Sequence, residues 1–584
     1  MKPTPYPRSR ATRGHVLLVV TVMLAISLII ATGIYLYSSG NSRQNQRNND
    51  YYLSVAAAEA ATEKVLSTVT TDFRNYGGAY VAQRLDAYRA AIPTGAEAAE
   101  WNDFDFMDLA GNENKVEVQY TSLNGFQRLG GQYGALKATK DILRILSVTE
   151  PRNSVSGVAG SVYQDIEFDS IPIFQYAIFY NVALEFTPLP NMTITGPVHC
   201  NTNIYNNFYD ICILTFKSDV TSAGTICQCA NPASPMPKYN GTVNFGLAHD
   251  SGVSTLNLPI GTNNTPGAVY QVIEVPPALE AASSSMGLQR YYNKADLIIS
   301  VTNNAVTVTS GRWNSFATSL PTNEVSLFVY TNASFFNKRE NKTVKSIDID
   351  VARLNQWNAT NASVRPYLPL SDVRILYVLD KRSLASTNQT GVRLINASNL
   401  PPQGLTLATP SPAYTLGDYN LSTGFTGTNT VNTKPSSIVS DAITVLSGAW
   451  LDSQSKSSLS LRIATDTTVN AAFLSGIVAS SSASDSGGVE NFPRFLEDWG
   501  LVGTRTLTYN GSMVVMYYSK VATNLWLGIG PTYDIYNPPI RNWSLDQNFQ
   551  FRSKLPPGTP SLMVLVRSNW RTPAAYTTNV MAGF

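Results

Sequence analysis

The chain has 584 residues, with 42 Lys and Arg, 40 Asp and Glu, 3 His and 4 Cys. This length provides several domain-sized units, and the net charge of +2 argues against a strongly basic nucleic-acid-binding protein. Only 14% of the residues are charged, compared with about 25% in an average soluble protein. We therefore expect an extracytoplasmic, β-rich protein with no nucleic-acid partner and little scope for histidine-based chemistry.

The beginning of the chain predicts a membrane anchor. Residues 1–14 form a basic leader without acidic residues, and residues 16–38 contain no charged side chain. A helix rises about 1.5 Å per residue, so this apolar run is about 35 Å long and can cross a bilayer core. The positive-inside rule places the leader in the cytoplasm and the bulk of the chain outside, with residues 15–39 as the transmembrane helix. A cleaved secretory signal is the alternative, but the length of the apolar run favours an anchor.

The helix is predicted to continue beyond the membrane as an extracytoplasmic extension over residues 40–76. Residues 41–50 are polar, and the segment that follows contains neither Pro nor Gly. Apolar residues recur there every three or four positions. Several alanines keep one face of the helix small, which allows a second helix to approach closely. Gly77 and Gly78 are predicted to end the helix.

The first 75 residues or so resemble the N-terminal module of PilX-type pilus assembly proteins, which carry a type IV pilin-like helix. The residues that support this resemblance are Arg13-Gly14, the apolar span, the polar stretch with two arginines and the segment AAAEAATEKVL. The resemblance implies that a prepilin peptidase cuts between Gly14 and His15. It also implies that the helix packs against neighbouring helices through a small, apolar face formed by Val19, Ala57, Ala58, Ala61 and Val65.

One position departs from the pilin pattern. The fifth residue after the Gly14–His15 bond is Val19, where most pilins carry a Glu. Without this acid, the usual electrostatic docking to a neighbour's N-terminus is missing. The layout of a pilin-like helix followed by a large β-rich head also resembles large pilin-like surface proteins of Gram-negative bacteria.

The rest of the sequence predicts a mainly β ectodomain with short helices. Short runs of β-branched and aromatic residues, bounded by Gly, Pro, Asn and Asp, begin at Val116 and recur along the chain. The fold class is therefore α+β, and both a β-solenoid and a β-sandwich are compatible with the β region. The expected divisions are a helical or loop connector, a β-rich domain with the cysteines, a mixed α/β segment and a C-terminal β-rich domain with short helices: residues 77–142, 143–320, 321–400 and 401–584.

Three segments of the C-terminal third have more specific predictions. Residues 401–440 are rich in Pro, Gly, Thr, Asn and Ser, which is typical of a long loop or a domain boundary. Residues 440–452 and 491–499 are predicted to be helical. On the second of these helices, Arg494 and Glu497 are three positions apart and would form an ion pair.

The four cysteines fall within thirty residues of one another and indicate two disulfides in an oxidising compartment: Cys200, Cys212, Cys227 and Cys229. A metal site and free thiols are the alternatives. A bond between Cys227 and Cys229 would close a very tight ring. We therefore expect each of them to pair with Cys200 or Cys212, in a connectivity that the sequence leaves open.

No catalytic, cofactor-binding or metal-binding residues are predicted. The sequence lacks a nucleophile elbow, a His-Glu-x-x-His motif, a P-loop and a calcium-binding loop. Asp348 and Asp350 alternate on a predicted strand, where they would flank a buried Ile349. The following aromatic residues could bind sugar or protein, but core or strand-face positions are the favoured interpretation: Tyr291, Tyr292, Trp450, Trp499, Tyr517, Tyr518, Trp543 and Trp570.

These features favour a structural, non-enzymatic role as a pilin-like minor subunit or assembly component of a type IV pilus-like or secretion fibre. The expected location is the bacterial inner membrane, with the bulk of the chain in the periplasm or at the cell surface. The expected partners are the membrane and pilin-like subunits or further copies of this chain, together with an unknown surface ligand. A membrane-anchored adhesin outside any fibre is the alternative, and a surface enzyme acting on polysaccharide is a third hypothesis.

Overall fold

The computed structural model describes residues 15–130, 133–154, 157–187, 191–309, 320–500 and 504–573. Its first element is a single helix, α1 (His15–Tyr76), so the prediction of one helix that continues beyond the apolar span is confirmed. The helix ends at Gly77, whose φ of +81° favours glycine and whose N–H donates to the Phe73 carbonyl at 2.9 Å. Two short helices follow, α2 (Gly78–Gln83) and α3 (Leu85–Arg89).

A small antiparallel sheet lies after these helices. Its first four strands are β1 (Phe104–Met107), β2 (Glu117–Arg128), β3 (Lys137–Pro151) and β4 (Gly160–Pro172). The long strand β3 pairs with β1 and β2 along one edge and with β4 along the other. The segment expected to be a helical or loop connector therefore contains α2 and α3, but also β1, β2 and the start of β3.

The second half of α1 packs on one face of this sheet. Apolar residues of the helix, including Val65 and Phe73, form a buried cluster with Leu143, Ile166 and Phe168 of the sheet. The rings of Phe73 and Phe168 lie 4.4 Å apart, centroid to centroid. The helix also approaches β4 closely at Gly160, where an added Cβ would lie 2.5 Å from the Val55 nitrogen.

The chain then forms a β-solenoid in two runs. The outward run has three sides, with strands of two to four residues that stack in parallel on the strands of the next turn. Its strands are β5 (Ile178–Tyr180), β6 (Leu184–Phe186), β7 (Met192–Ile194), β8 (Val198–Cys200), β9 (Ile204–Asn206), β10 (Ile213–Phe216), β11 (Val220–Ser222), β12 (Ile226–Cys227), β13 (Thr242–Phe245) and β14 (His249–Ser251).

The returning run begins after a helical crossover with α4 (Pro266–Tyr270), α5 (Ser285–Gln289) and α6 (Tyr291–Lys294). Its strands are β15 (Leu297–Val301), β16 (Val306–Thr309), β17 (Val329–Tyr330), β18 (Ser334–Asn337), β19 (Lys342–Asp350), β20 (Ile375–Asp380), β21 (Asn388–Ile395), β22 (Leu405–Ala408), β23 (Ala413–Leu416), β24 (Ser436–Ser440), β25 (Ile443–Leu446), β26 (Thr467–Asn470), β27 (Ala472–Ile477), β28 (Thr506–Asn510), β29 (Met513–Tyr518) and β30 (Ile540–Ser544). Two further helices interrupt it, α7 (Thr322–Val325) and α8 (Val351–Thr360).

One side of the solenoid is a continuous eleven-stranded sheet in which the two runs meet. Its order is β14-β11-β8-β5-β29-β27-β24-β22-β20-β15-β16, so the last turn of the returning run stacks directly on the first turn of the outward run. All neighbouring pairs are parallel except β15 with β16. Of the two folds compatible with the sequence, the structure is therefore the solenoid, and one buried hydrophobic cluster fills it from Leu129 to Val564.

Several local predictions for the C-terminal third are wrong. Residues 401–440 contain β22, β23 and β24 rather than one long loop, and residues 440–452 contain β25 rather than a helix. In residues 491–499 no helix continues beyond the single turn that ends at Asn491. Stacking in the solenoid explains the difference, because a run such as Ile443–Leu446 is buried on a strand between neighbouring turns.

The final strand, β31 (Ser561–Arg571), returns to the small sheet and pairs antiparallel with β4. The chain thus leaves this sheet after β4 and re-enters it at β31. The points at which the chain leaves and re-enters the sheet are adjacent, because the Ile173 N–H donates to the Pro560 carbonyl at 3.0 Å. Both connections reach the solenoid next to β5, where the outward and returning runs meet.

Candidate assembly surface

The first half of α1 projects from the rest of the described chain. Residues 15–49 are all exposed apart from Ser39, which is half-buried. The segment includes an 18-residue window with a mean hydropathy of 2.7, none of it buried, which by length and composition suffices to cross a membrane. Apolar surface left in water costs about 25 cal/mol per Å² in free energy. An exposed apolar segment of this length is therefore expected to be buried in lipid or against other protein chains.

The polar groups within the apolar span, residues 16–38, are compatible with burial in lipid or protein. The backbone of the segment is helical throughout, so its hydrogen bonds lie within the helix. The Thr21 hydroxyl donates to the Leu17 carbonyl at 2.9 Å, and the Thr32 hydroxyl donates to the Leu28 carbonyl at 2.7 Å. Both hydroxyls are therefore satisfied without water.

Contact with the body of the molecule begins at the end of the polar stretch. The Ser154 hydroxyl donates to the Asp50 carboxylate at 2.7 Å, and the Ser54 side chain, one turn further along α1, is fully buried. From this point the buried positions of α1 follow a spacing of three and four residues to Phe73. We call residues 15–49 the projecting half of α1 and residues 50–76 its packed half.

The predicted helix-packing residues divide between these halves, and four of the five need correction. Val19 lies on the projecting half and is 54% exposed, so it is open to a neighbouring helix. Ala57, Ala58, Ala61 and Val65 are instead buried in the packed half. Their small face accommodates the chain's own sheet, since α1 packs on β3 and β4. Of the expected cleavage pair, His15 is the first described residue, and Gly14 lies outside the described residues.

The expected disulfide pairing is also wrong. The disulfide joins Cys227 to Cys229, while Cys200 and Cys212 are buried free thiols. Cys200 lies on β8 in the solenoid core, where its thiol donates to the Val182 carbonyl at 3.2 Å. Cys227, by contrast with the buried Cys200, is only half-buried. Burial raises the pKa of Cys200 to about 11, so this thiol stays protonated and unreactive at neutral pH.

The polar residues that the sequence singled out are mostly structural. Ile349 is buried as expected, and its neighbour Asp348 binds Arg393 at 2.6 Å, while Asp350 caps α8 through the Arg353 N–H at 3.0 Å. The predicted ion pair between Arg494 and Glu497 does not form.

Because residues 491–499 do not form a helix, the side chains of this segment find partners on other turns of the solenoid. Arg494 binds Glu340 at 2.8 Å. The Glu497 carboxylate accepts hydrogen bonds from the Ser447 N–H and hydroxyl, at 2.7 and 2.6 Å.

The imidazole near the cysteines also has a structural explanation. His199 is fully buried between the Thr221 hydroxyl at 2.8 Å and the Asn201 side-chain oxygen at 3.0 Å. Burial lowers its pKa to about 4, which keeps the ring neutral. Within the ranges that the structure describes, no group of three or more His, Cys, Asp or Glu residues is arranged to hold a metal ion.

The aromatic candidates separate into two groups. Tyr291, Trp499 and Tyr517 are buried in the solenoid core, in agreement with the favoured interpretation, whereas Tyr518 and Trp570 are exposed. Several other partly exposed rings, which carry no signal in the sequence, lie in the long loops between strands: Tyr209, Tyr239, Trp526 and Tyr533. No periodic pattern marks these loop residues, and their proximity arises only when the turns stack.

Comparisons with known proteins add little to this geometry. No known protein family matches the sequence, and no curated protein is significantly similar to it. Among solved structures, the crystal structure of the competence-associated pilin ComZ from Thermus thermophilus is similar over 90% of this chain and 98% of that chain. The sequence identity is 10% and the TM-score 0.22, an overlap too loose to support a conclusion about this chain.

Proposed function

We propose that this chain is a membrane-anchored, pilin-like structural subunit that assembles through the projecting half of α1. The observation that supports the proposal is the contrast within one helix: residues 15–49 have no cover in the described structure, while residues 50–76 are held by the small sheet. The resemblance of the N-terminal segment to PilX-type and type IV pilin-like helices agrees with this arrangement. In the membrane, lipid would cover residues 16–38, and in a fibre, equivalent helices of neighbouring subunits would cover them.

The size of the displayed part favours a minor or tip position in such a fibre. The solenoid has eleven strands in its longest sheet, and it is joined to the small sheet at the level of β5. A body of this bulk would crowd a thin helical stack if every subunit carried it. We therefore infer a subunit that primes assembly or presents the solenoid, rather than the repeating unit, and we propose a structural rather than catalytic role.

The test compares two single substitutions on the projecting half in the native host. Leu24→Asp places a carboxylate in the middle of the apolar span, and Asn45→Asp adds the same charge to the polar stretch as a matched control. An Asp at the centre of a membrane helix costs about 2.5–3.5 kcal/mol in insertion. We expect Leu24→Asp to be lost from membranes and from sheared filaments, and Asn45→Asp to behave as the unsubstituted chain.

Comparing the membrane fraction with sheared filaments distinguishes a fibre subunit from an anchored surface protein. Recovery of the unsubstituted chain in sheared filaments supports a fibre subunit. Its presence in membranes alone would show an anchored surface protein outside any fibre. Filaments that still incorporate the chain after deletion of residues 1–39 would contradict assembly through the helix.

A further inference from the structure

A groove with several aromatic walls crosses the junction of the two runs of the solenoid. It has a volume of 280 Å³, close to the lower end of the range of about 300–1,000 Å³ for small-molecule sites. The outward run contributes Tyr209 and Tyr239, and the returning run contributes Glu490, Trp526, Tyr533 and Arg541. We call this site the aromatic groove. It exists only because the last turn of the returning run stacks on the first turn of the outward run.

The rings on the outward run are held in place by their loops. Tyr209 and Tyr239 lie 4.5 Å apart, centroid to centroid, and both are half-buried. Asn207 fixes the second of these loops, because its side chain donates to the Pro237 carbonyl at 3.0 Å and accepts from the Tyr239 N–H at 2.8 Å. One face of the groove is therefore formed before any ligand binds.

The rings on the returning run are held as firmly. The Trp526 indole N–H donates to the Tyr536 hydroxyl at 3.2 Å, and this hydroxyl donates to the Asn491 side chain at 3.2 Å. Tyr533 packs against Gly528, where φ is +126° and an added Cβ would lie 2.5 Å from the ring. The Tyr533 ring is nonetheless 47% exposed. An aromatic surface is thus fixed in place but left open.

Two oppositely charged groups lie on the floor of the groove with incomplete hydrogen bonding. Glu490 is only 5% exposed; its Oε1 accepts from the Thr187 N–H at 3.1 Å, and its Oε2 has no hydrogen-bond partner among the described residues. The Arg541 Nη2 donates to the Glu490 carbonyl at 3.0 Å, while its Nε likewise has no partner in the described parts of the chain. Buried polar atoms without partners cost about 1–3 kcal/mol each. These two residues are the only charged groups among the described residues that line the groove. Burial raises the pKa of Glu490 to about 7, so the formal charge of the groove is zero above this pH, where Glu490 is ionised.

We propose that the aromatic groove binds a neutral saccharide. A hydroxyl group can donate to a carboxylate and accept from a guanidinium, so neighbouring hydroxyls of one sugar ring satisfy Glu490 and Arg541 together. The apolar face of the same ring packs on the open aromatic surface. A cationic ligand would suit the rings and Glu490 but would be repelled by Arg541, and an anionic ligand would be repelled by Glu490. The groove contains one carboxylate, whereas glycoside hydrolysis generally needs a pair, so we infer binding without cleavage.

The test uses the full chain in lipid nanodiscs free of glycosidic detergent, so that no sugar headgroup competes. The probes are neutral hexasaccharides of glucose in α- and β-linkage, mannose and N-acetylglucosamine, with oligogalacturonate as the acidic comparison. Binding is followed by calorimetry and by tryptophan fluorescence. We expect at least one neutral probe to bind with a dissociation constant below about 1 mM, and oligogalacturonate not to bind.

Substitutions then locate the site. Tyr533→Ala and Trp526→Ala are each expected to weaken binding about tenfold, equivalent to about 1.4 kcal/mol, while Trp570→Ala, at an exposed tryptophan on β31, leaves it unchanged. Glu490→Gln keeps the side-chain shape and the bond from Thr187, so reduced binding at an unchanged unfolding temperature supports the hydroxyl contact. The absence of binding by every neutral probe overturns the proposal, as does preferential binding of oligogalacturonate or full affinity in both Tyr533→Ala and Trp526→Ala.

Discussion

The two halves of α1 share one continuous backbone but differ in what surrounds them. In the packed half, the buried positions are small or apolar and face the sheet of the same chain. In the projecting half, apolar side chains surround the helix over residues 16–38, polar side chains follow, and nearly all of them are exposed in the described structure. We therefore expect the stability of the body to depend on the packed half, and attachment to lipid or to other subunits to depend on the projecting half. Substitutions at matched positions can therefore separate the two roles.

The largest expected effect is a charge buried in the packed half. Val65→Asp places a carboxylate at a fully buried position within an apolar cluster, which we expect to cost more than about 4 kcal/mol. The measurement is amide hydrogen exchange in β3 and β4, which should lose their protection. The matched change Val22→Asp should leave this protection intact and reduce only membrane retention. Equal loss of protection in both variants would contradict the division of α1 into two halves.

A pH-dependent effect is expected in the sheet that supports the packed half. Burial raises the pKa of Asp169, on β4, from about 3.8 to about 6. Well below pH 3.8 this carboxyl is protonated in both the folded and unfolded states, so it adds no penalty. Between about pH 4 and 6 it ionises in the unfolded state but stays protonated in the folded state, so the free energy of unfolding falls by about 3 kcal/mol in total and levels off above pH 6, where the carboxyl is ionised in both states.

Asp169→Asn removes this titration. We expect the variant to be more stable than the unsubstituted chain above pH 7 and to show little difference near pH 3.5. Thermal unfolding across this pH range is the measurement. A stabilisation that is the same at both ends of the range would refute the assignment to Asp169.

A smaller effect is expected where α1 and β4 approach most closely. Gly160→Val forces side-chain atoms towards the α1 backbone at Val55, and overpacking of this kind costs about 1–3 kcal/mol. Gly33→Val is the control in the projecting half, where nothing lies within 4 Å of an added Cβ. Chemical denaturation should show a lower midpoint for the first variant alone. An unchanged midpoint for Gly160→Val would mean that the helix can shift away from β4 without cost.

The smallest effect concerns the ion pair between Glu63 of the packed half and Arg567 of β31, at 2.7 Å. Both side chains are largely exposed, and exposed pairs contribute about 0–1 kcal/mol. A double-mutant cycle with Glu63→Gln and Arg567→Gln should therefore give a coupling energy within this range, and lower at high salt. A larger coupling energy would indicate that this pair, and not the apolar face, holds α1 to the final strand.

The sequence predicted α1 well because its information is local. The absence of charge over residues 16–38 indicates a segment that needs an apolar environment, and a spacing of three and four residues indicates a buried face. Neither pattern states what covers the face. Ala57, Ala58 and Ala61 have the small side chains that suit a neighbouring helix, but their partner is a sheet of the same chain, whose strands β3 and β4 lie up to about a hundred positions away.

The sequence was compatible with both a solenoid and a sandwich, because the strand pairings that distinguish these folds are not local in sequence. Stacked strands are separated by irregular distances along the chain, and β5 pairs with β29, which follows more than three hundred positions later. The partners of Arg494 and the free state of Cys200 and Cys212 depend on this stacking. The same holds for the aromatic groove, whose walls come from both runs. A sequence pattern shows the residue types of such a site but not their proximity.

The adjacency of Ile173 and Pro560 has a consequence for how this molecule can be altered. A short loop in place of residues 174–559 would join β4 to β31 as an ordinary hairpin and leave α1 on the five-stranded sheet. The solenoid is therefore an insertion between two adjacent strands of the sheet, and apolar residues in or next to the sheet, such as Ile171 and Leu136, share its buried cluster. A different domain whose ends lie equally close could be inserted at the same position, provided that it also covers these apolar residues.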